Sequence, residues 1–523
     1  MTRLLVKLRA PLRRGRNWLL VSTGVLAVSA CSVAPQPLTL DERQTQMAAD
    51  RARLYTEQEP ITGPISLSEA MARAIKYNLD QRQALMEEAL QSRQLDLVSY
   101  DMLPKLAAGA GYVSRSSPNL TVSRNTVTGV RSLEPSVSQD QQRETADLTT
   151  TWNVLDFGVS YYQAHQQADR VLITHERRRR IVNSIIQQVR GTFWLAATAE
   201  RLEGEIAPAL AEARAALKDA ETLENERLKA PIEALRYQKA LIEIIRQLET
   251  VQQDLAIARA QLAALMNVPL TERFTLALAS DFRSRVPEIR VPMETMENTA
   301  LLRRPEMQEE LYQKRINRAE VRKAMVRLLP GIGITGSGNY DSNSYLVNNA
   351  WAEAGLRVTF NLLNLISGPA AIRAAEAQED AGDARRLALC VATLTQVHVA
   401  NQQYLRARTA YDQARLLEDI ERRINENVQQ AASVNGESRL ERIRSRASAI
   451  NAQLARDRAF ADLQNAVAAV YVSLGLDPLP EAVNSHDVKG LAVGLEKVAK
   501  DWQEGRINLE ADQSQSTIGK SGT

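Results

Sequence analysis

The hydrophobic pattern of this chain switches between a helical and a strand period, and the whole succession occurs twice. Over 66–101 apolar residues recur at helical spacing. Leu67, Ala70, Met71, Ala74 and Ile75 share one face, Ser66 or Ser68 stands where a cap is needed, and Glu69 falls three residues after Ser66. Pro104 stops this helix. Residues 105–113 then alternate, as do 147–155, where Leu148, Thr150, Trp152 and Val154 fall on one side. The clearest alternation is 352–361: Ala352, Ala354, Leu356, Val358 and Phe360 on one face, Glu353, Gly355, Arg357, Thr359 and Asn361 on the other. Each second strand is followed by a very long helical pattern. The first runs from about Ser160 to Leu228, roughly 100 Å at about 1.5 Å per residue. Pro208 lies inside it and predicts a kink. It turns near Pro231 and returns to about Met266, where Asn267 and Pro269 end it; the second copy runs 370–430, turns at 433–436 and returns to Leu474.

The two copies align at a nearly constant offset. Thr151-Trp152-Asn153-Val154-Leu155-Asp156 matches Thr359-Phe360-Asn361-Leu362-Leu363-Asn364 at 208, Gln188-Val189 matches Gln396-Val397, and Ile232-Glu233 matches Leu440-Glu441. Residues 265–269 resemble 474–478 at 209, and Leu103-Pro104 matches Leu329-Pro330 at 226, so the first copy carries 18 extra residues between its strands. The organisation that follows is 1–30 leader, 31–65 N-terminal segment, 66–269 first repeat, 270–292 linker, 293–480 second repeat and 481–523 tail.

Each copy thus supplies two strands of about ten residues, long enough to cross a membrane when tilted. Four strands cannot close a barrel, and open edges are not tolerated in lipid. Long Ala-rich helices likewise cannot bury a wide core alone. The sequence predicts an oligomer with a β membrane end and an α-helical tube.

The N-terminus changes the charge balance. The first 16 residues carry Arg3, Lys7, Arg9, Arg13, Arg14 and Arg16 and no acid; a short, mostly apolar run and Val28-Ser29-Ala30-Cys31 follow. This reads as a signal peptide too short to span a bilayer stably. Its end resembles a bacterial lipobox, which implies cleavage before Cys31 and lipidation of its thiol; the alternative is a plain secretory signal. The 523-residue chain has a formal charge of +3, but removing six of its 65 basic residues and none of its 62 acidic ones leaves 59 against 62, or −3. A nucleic-acid partner loses its support. Two Cys and four His exclude a disulfide framework and a Cys-rich zinc module.

With Leu67-Ser68-Glu69-Ala70-Met71-Ala72-Arg73-Ala74, the Leu-Pro strand starts, Trp152-Asn153-Val154-Leu155-Asp156-Phe157-Gly158 and the helix ends Asn267-Val268-Pro269 and Gly475-Leu476-Asp477-Pro478, the chain resembles the outer-membrane efflux protein family of TolC type over roughly 66–480. The resemblance implies a mainly α fold with a membrane β-barrel part: a homotrimer whose twelve-stranded barrel continues into an α-helical tunnel. It implies a periplasmic adaptor and an inner-membrane pump as partners, outer-membrane lipid around the barrel, no cofactor and no catalysis. Export of small toxic compounds and type I secretion of polypeptides both remain open. A periplasmic coiled-coil scaffold without a pore is the reading from another class, and the duplicated ten-residue strands argue against it.

The resemblance places adaptor contact and tunnel closure at the helix turns, here around Leu228, Ala230 and Pro231 in the first copy and Asn435, Gly436, Ser438 and Leu440 in the second. The family's glycine is missing from the first turn, and Glu replaces its Asp. Glu233 and Glu441 are then equivalent tip residues. Either they gather as six carboxylates in a trimer and gate the tunnel, or they pair with Arg236 and Arg444, each three residues on. Arg357 falls on the polar strand face, where a lumen role and pairing with Glu353 are both open. The run Arg177–Arg180 cannot share one helix face, so most of it should be solvated. Gly331-Ile332-Gly333-Ile334-Thr335-Gly336 matches a dinucleotide fingerprint, but it follows a helix and proline and so suits a crowded strand. His165, His175, His398, His486 and Cys390 are scattered, with no metal or catalytic spacing. The polar stretch 114–144 reads as an exposed loop and 481–523 as a loosely attached tail.

Overall fold

A computed structural model describes residues 35–56, 58–225, 231–277, 286–435, 439–477 and 487–503. The chain divides after Gln58. In the first unit, helix α1 (Leu40–Arg53) carries a capping box between Thr39 and Glu42 and buries none of its residues. The leader and Cys31 lie outside the described residues.

The second unit opens with α2 (Leu67–Tyr77) and α3 (Leu79–Ser99). Ser66 caps α2 as expected, its Oγ accepting from the Glu69 amide at 3.1 Å. The single helix expected over 66–101 is broken at Asn78, whose backbone is extended (φ −63°, ψ 131°). Asn78 ends one helix and caps the next: its Oδ1 accepts from the amides of Asp80 and Gln81, and its Nδ2 donates to the Leu265 carbonyl. The second repeat has the same break. Helices α6 (Met293–Arg303) and α7 (Pro305–Val326) meet at Arg304 (φ −61°, ψ 133°), 226 residues after Asn78, with Pro305 supplying the pre-set first helical residue.

Strands β1 (Lys105–Ser114) and β4 (Gln142–Asn153) enclose the long loop, which holds the two-residue hairpin β2 (Leu120–Thr121) and β3 (Ser136–Val137). Strands β5 (Gly331–Asp341) and β6 (Ala350–Thr359) complete an antiparallel sheet in the order β1-β4-β5-β6. The glycine-rich run 331–336 is the start of β5, not a phosphate loop. Strand β4 ends at Asn153, so Val154, expected in the strand, is already helical; the Asn153 side chain accepts from the Leu155 amide and starts the turn.

Helices α4 (Val154–Asn225) and α8 (Asn364–Asn435) have 72 residues each, and their returns α5 (Pro231–Leu265) and α9 (Arg439–Ser473) have 35 each. α4 continues through Pro208. Their packing follows a heptad. Buried residues fall at 199, 202, 206, 209, 213, 216 and 220 on α4, at 241, 244, 248, 251, 255, 258 and 262 on α5, and at 443, 447, 450, 454, 457, 461, 464 and 468 on α9. Alternating steps of three and four keep one seam facing its neighbour. On α4 five of the seven are alanine, which lets Leu241, Leu248 and Ile450 approach closely. A second core joins α2, the middle of α4 and the upper ends of α5 and α9 around Val189, Phe193, Phe460 and Tyr471. There Arg190 is wholly buried and donates to Gln464; burial lowers its pKa to about 10 and pushes the Tyr471 hydroxyl up to about 12.

Part of the expected loose tail is structured. Helix α10 (Val488–Gln503) packs against α2 with Val488 and Leu495 buried, because Val488, Leu491, Leu495 and Val498 recur on one face. Glu59 clasps its start, accepting from the Val488 amide and from Lys76 Nζ at 2.6 Å.

Candidate functional site

Two surfaces carry the candidate chemistry: the faces of the sheet and the turns at the far ends of the long hairpins.

The register separates the sheet residues by parity. Lys105 pairs with Thr151, Thr145 with Asp341 and Gly331 with Thr359, so even residues lie beside even and odd beside odd through all four strands. The even face carries Leu106, Ala108, Leu148, Trp152, Ile332, Ile334, Tyr340, Leu356 and Val358; the odd face carries Lys105, Thr145, Asp147, Thr149, Thr151, Ser337, Asn339, Glu353, Arg357 and Thr359. The even side is therefore mainly apolar, with Gln142 and Glu144 only at its loop end and Thr150 within it, and the odd side mainly polar, with Val113 and Trp351 toward the loops. Yet Leu106, Leu148, Leu356 and Val358 on the even side are each more than half exposed in the single chain. Apolar side chains uncovered over most of a sheet face need a cover.

Arg357 is on the polar face, as expected. It makes no ion pair with Glu353, because four residues along a strand separate them by about 13 Å. The ion pair on this face is instead Arg143–Asp341, at 3.2 Å across β4 and β5. Glycines on the same face lie under polar neighbours: a Cβ at Gly109 would meet the Asp147 carboxylate, and one at Gly355 the Thr335 hydroxyl. At the loop end, Asn343 donates to the Ser138 carbonyl and accepts from the Asp140 amide, and Asp140 accepts from Ser344. These bonds tie the long loop of the first repeat to the short loop of the second.

At the other end, Glu233 and Glu441 both stand in the first turn of a return helix, exposed and partly exposed. Glu441 pairs with Arg444 at 3.4 Å, whereas among the described residues no ion pair joins Glu233 to Arg236. Leu228, Ala230, Gly436 and Ser438 lie outside the described residues; Pro231 begins α5, Asn435 ends α8, and Leu440 packs on the lower coiled coil. Residues that the sequence did not single out join the hairpins here: Arg439 to Asp219 at 2.5 Å and Arg446 to Glu212 at 3.3 Å, both from α9 to α4. Higher up, Arg201 pairs with Asp457. Burial raises the Asp457 carboxyl pKa, against the pull of Arg201 and Arg456.

Half of the arginine run is exposed, Arg177 and Arg180, and all four members are nevertheless ion-paired. Arg177 and Arg180 reach Glu309 on α7, Arg178 reaches Glu88 on α3, and Arg179 bridges Glu176 and Asp477. Spread around α4, the four bind the elements that surround it. His175 contacts Glu88, His398 contacts Glu297, and His165 packs edge-on to Tyr161; His486 lies outside the described residues.

Two strands, a 72-residue helix and a 35-residue return, duplicated with the four strands merged in one antiparallel sheet, match solved structures over most of their length. The Campylobacter jejuni CmeC outer membrane channel aligns over 91% of this chain and 98% of its own, with a TM-score of 0.60 at 14% identity. The chain has the TolC-type outer-membrane channel fold. The open state of the Neisseria gonorrhoeae MtrE outer membrane channel aligns over 79% and 89% (TM-score 0.59, 17% identity), and CusC, described in terms of transmembrane channel formation, over 85% and 100% (TM-score 0.59, 15% identity). No protein-family model and no curated protein matches the chain.

Proposed function

We propose that three copies of this chain close their sheets into one twelve-stranded barrel in the bacterial outer membrane, and their hairpins into a periplasmic tunnel. The observation that carries this reading is the sheet itself: four strands, a mainly apolar face left uncovered, and, among the described residues, unpaired edges at β1 and β6. An edge in lipid leaves backbone groups without partners, at several kcal/mol each, and pairing β6 of one copy with β1 of the next removes every edge. The helices support it too. Leu387, Val391, Leu416, Ile420 and Ile424 on α8 and Ile232, Leu235, Ile242 and Ile257 on α5 are exposed, giving each protomer two apolar flanks for its neighbours.

In this reading the protein is the exit duct of a tripartite export system. A periplasmic adaptor engages the turns around Pro231, Asn435 and Leu440, an inner-membrane pump supplies the energy, and the duct conducts without catalysing. Glu233 and Glu441 contribute carboxylates at the tip, where Arg439–Asp219 ties the two hairpins together. Cys31 carries the lipid anchor.

Purified protein in detergent or lipid should run as a heat-modifiable trimer from outer-membrane fractions and show single-channel conductance in planar bilayers. A soluble monomer without conductance overturns the reading. Metabolic labelling with a palmitate analogue should mark the wild type and not Cys31→Ser.

A further inference from the structure

The four charged residues of the polar sheet face that have no ion-pair partner among the described residues are Lys105, Arg357, Asp147 and Glu353, all exposed. Their depths follow from the stagger of the strands. Lys105, where β1 begins, shares a row with Thr151, Thr335 and Gly355; beyond that row β4 continues to Asn153, and β5 and β6 to Gly331 and Thr359. At the loop end β1 and β4 reach the Ser114–Gln142 pair, while β5 and β6 stop at Asp341 and Ala350, closer to the Lys105 row. Both margins of the sheet thus descend together, by about four residues or 13 Å over three interstrand steps totalling about 14 Å, so the strands lean about 40° from the normal of the slab they fill, within the range for membrane barrels.

With that tilt, residues on different strands can be ranked by depth. Measured from the helix-side rim, Lys105 lies at about 0 Å and Arg357 at about 5 Å, whereas Asp147 and Glu353 lie at about 13–15 Å. The untilted rows conceal this, because Asp147 and Glu353 stand in different rows. Asp147 is held in its place: its Oδ2 accepts from Thr149 Oγ1 at 3.1 Å, and its carboxylate lies over Gly109, where no Cβ intrudes. The Arg143–Asp341 pair nearer the loops neutralises itself.

We infer that the barrel lumen carries two stacked charge bands of opposite sign, a basic band of Lys105 and Arg357 next to the helical tunnel and an acidic band of Asp147 and Glu353 nearer the loops, and that this arrangement makes the pore rectify the flow of small ions. The inference rests on the trimeric barrel proposed above, which multiplies each residue by three. The basic band gathers anions and the acidic band cations. A voltage that makes the loop side positive drives cations from the acidic band and anions from the basic band toward their junction, and the pore fills with carriers. The opposite voltage empties the junction. The bands are about 10 Å apart, comparable with the screening length at 0.1 M salt, so the effect belongs to low ionic strength and is screened out near 1 M.

The test is current–voltage recording of the full-length protein in planar bilayers at about 0.05 M and about 1 M KCl, with orientation assigned by which chamber's protease trims the 115–141 loop. The wild type should pass more current with the loop side positive at low salt, and equal currents at high salt. Asp147→Asn with Glu353→Gln should abolish the asymmetry and move the reversal potential in a salt gradient toward anion preference. Lys105→Gln with Arg357→Gln should abolish it and move that potential toward cation preference. The tip contributes equally to all three proteins, so the opposite shifts isolate the barrel. Conductance at 1 M salt reports that each variant has folded. Symmetric wild-type currents at low salt, or reversal potentials that stay together, overturn the inference while leaving the channel intact; absence of any conductance overturns it along with the channel reading.

Discussion

Asn267 and Gly475, 208 residues apart, hold the same left-handed backbone, with φ of 55° and 70°, at the ends of the two return helices. Their surroundings repeat bond for bond. Val268 donates to the Ala263 carbonyl as Leu476 does to Tyr471, and Asn267 donates to Ala264 as Gly475 does to Val472. Each pair is a Schellman ending that turns the chain out of the coiled coil. The repeat offset is therefore 208 here as well, not the 209 expected from matching 265–269 with 474–478.

The two positions should not tolerate the same substitutions. At Gly475 a Cβ would stand 2.5 Å from the backbone of Arg303 and Arg304, which cannot yield as a side chain can. Gly475→Ala should cost about 2 kcal/mol or more, from the left-handed conformation and the clash together, read as a lower midpoint of thermal unfolding in detergent. Asn267→Gly should stay within about 1 kcal/mol of the wild type.

Asn78 makes three side-chain bonds at a buried helix break. Asn78→Ala removes a cap and leaves the Leu265 carbonyl without its donor, an expected loss of about 1–3 kcal/mol. Asn78→Asp keeps the cap acceptor and should fall between the two. Equal midpoints for all three proteins would refute the role.

Arg439 and Asp219 join the two hairpins next to the turns. Removing either side chain should raise the open probability of the reconstituted channel, and removing both should add little, since one interaction is lost in each case. A half-exposed pair is worth about 0.2–1 kcal/mol, so a few-fold change in open probability is the expected scale.

Glu441→Ala together with Glu233→Ala should lower cation preference in a salt gradient if the tip carboxylates face the pore. Glu441 is already paired with Arg444, so Glu233→Ala alone should have the larger effect. An unmoved reversal potential in both would assign these carboxylates to surface pairing.

Glu59 holds α10 against α2 through Lys76 and the Val488 amide, and the hydrogen bond from Lys76 holds its pKa below the usual carboxylate value. A carboxylate with a lowered folded pKa stabilises at pH above its unfolded value and loses that contribution as pH falls through the folded value. Amide exchange in α10, corrected for intrinsic rates, should therefore speed up on acidification below about pH 4, and Glu59→Gln should show the faster exchange already at neutral pH.

Much of this fold was legible in the sequence because its signals are local. Alternation in 352–361, the stop at Pro104 and the cap at Ser66 act over a few residues, and duplication let one copy confirm the other. The break at Asn78 was hidden because the helical apolar pattern continues through it; its cap of the Asp80 and Gln81 amides is local, but its bond to the Leu265 carbonyl, 187 residues away, is not. The C-terminal helix α10 was obscured by the polar residues around it. The heptad of alternating three and four steps was present in the letters of α4, α5 and α9, but alanine marks a seam weakly until a partner is seen against it.

The sequence by itself determined the periods, the lengths and the repeat, and its four strands with two open edges are what motivate the proposed oligomer, since backbone groups placed in lipid must be paired whatever the tertiary detail. Tertiary structure decided which residues share a level. Asp147 and Glu353 come from different repeats and different rows, and nothing in their spacing along the chain brings them to one depth. Register and tilt do, because a strand fixes position along itself while only its neighbours fix position across the sheet.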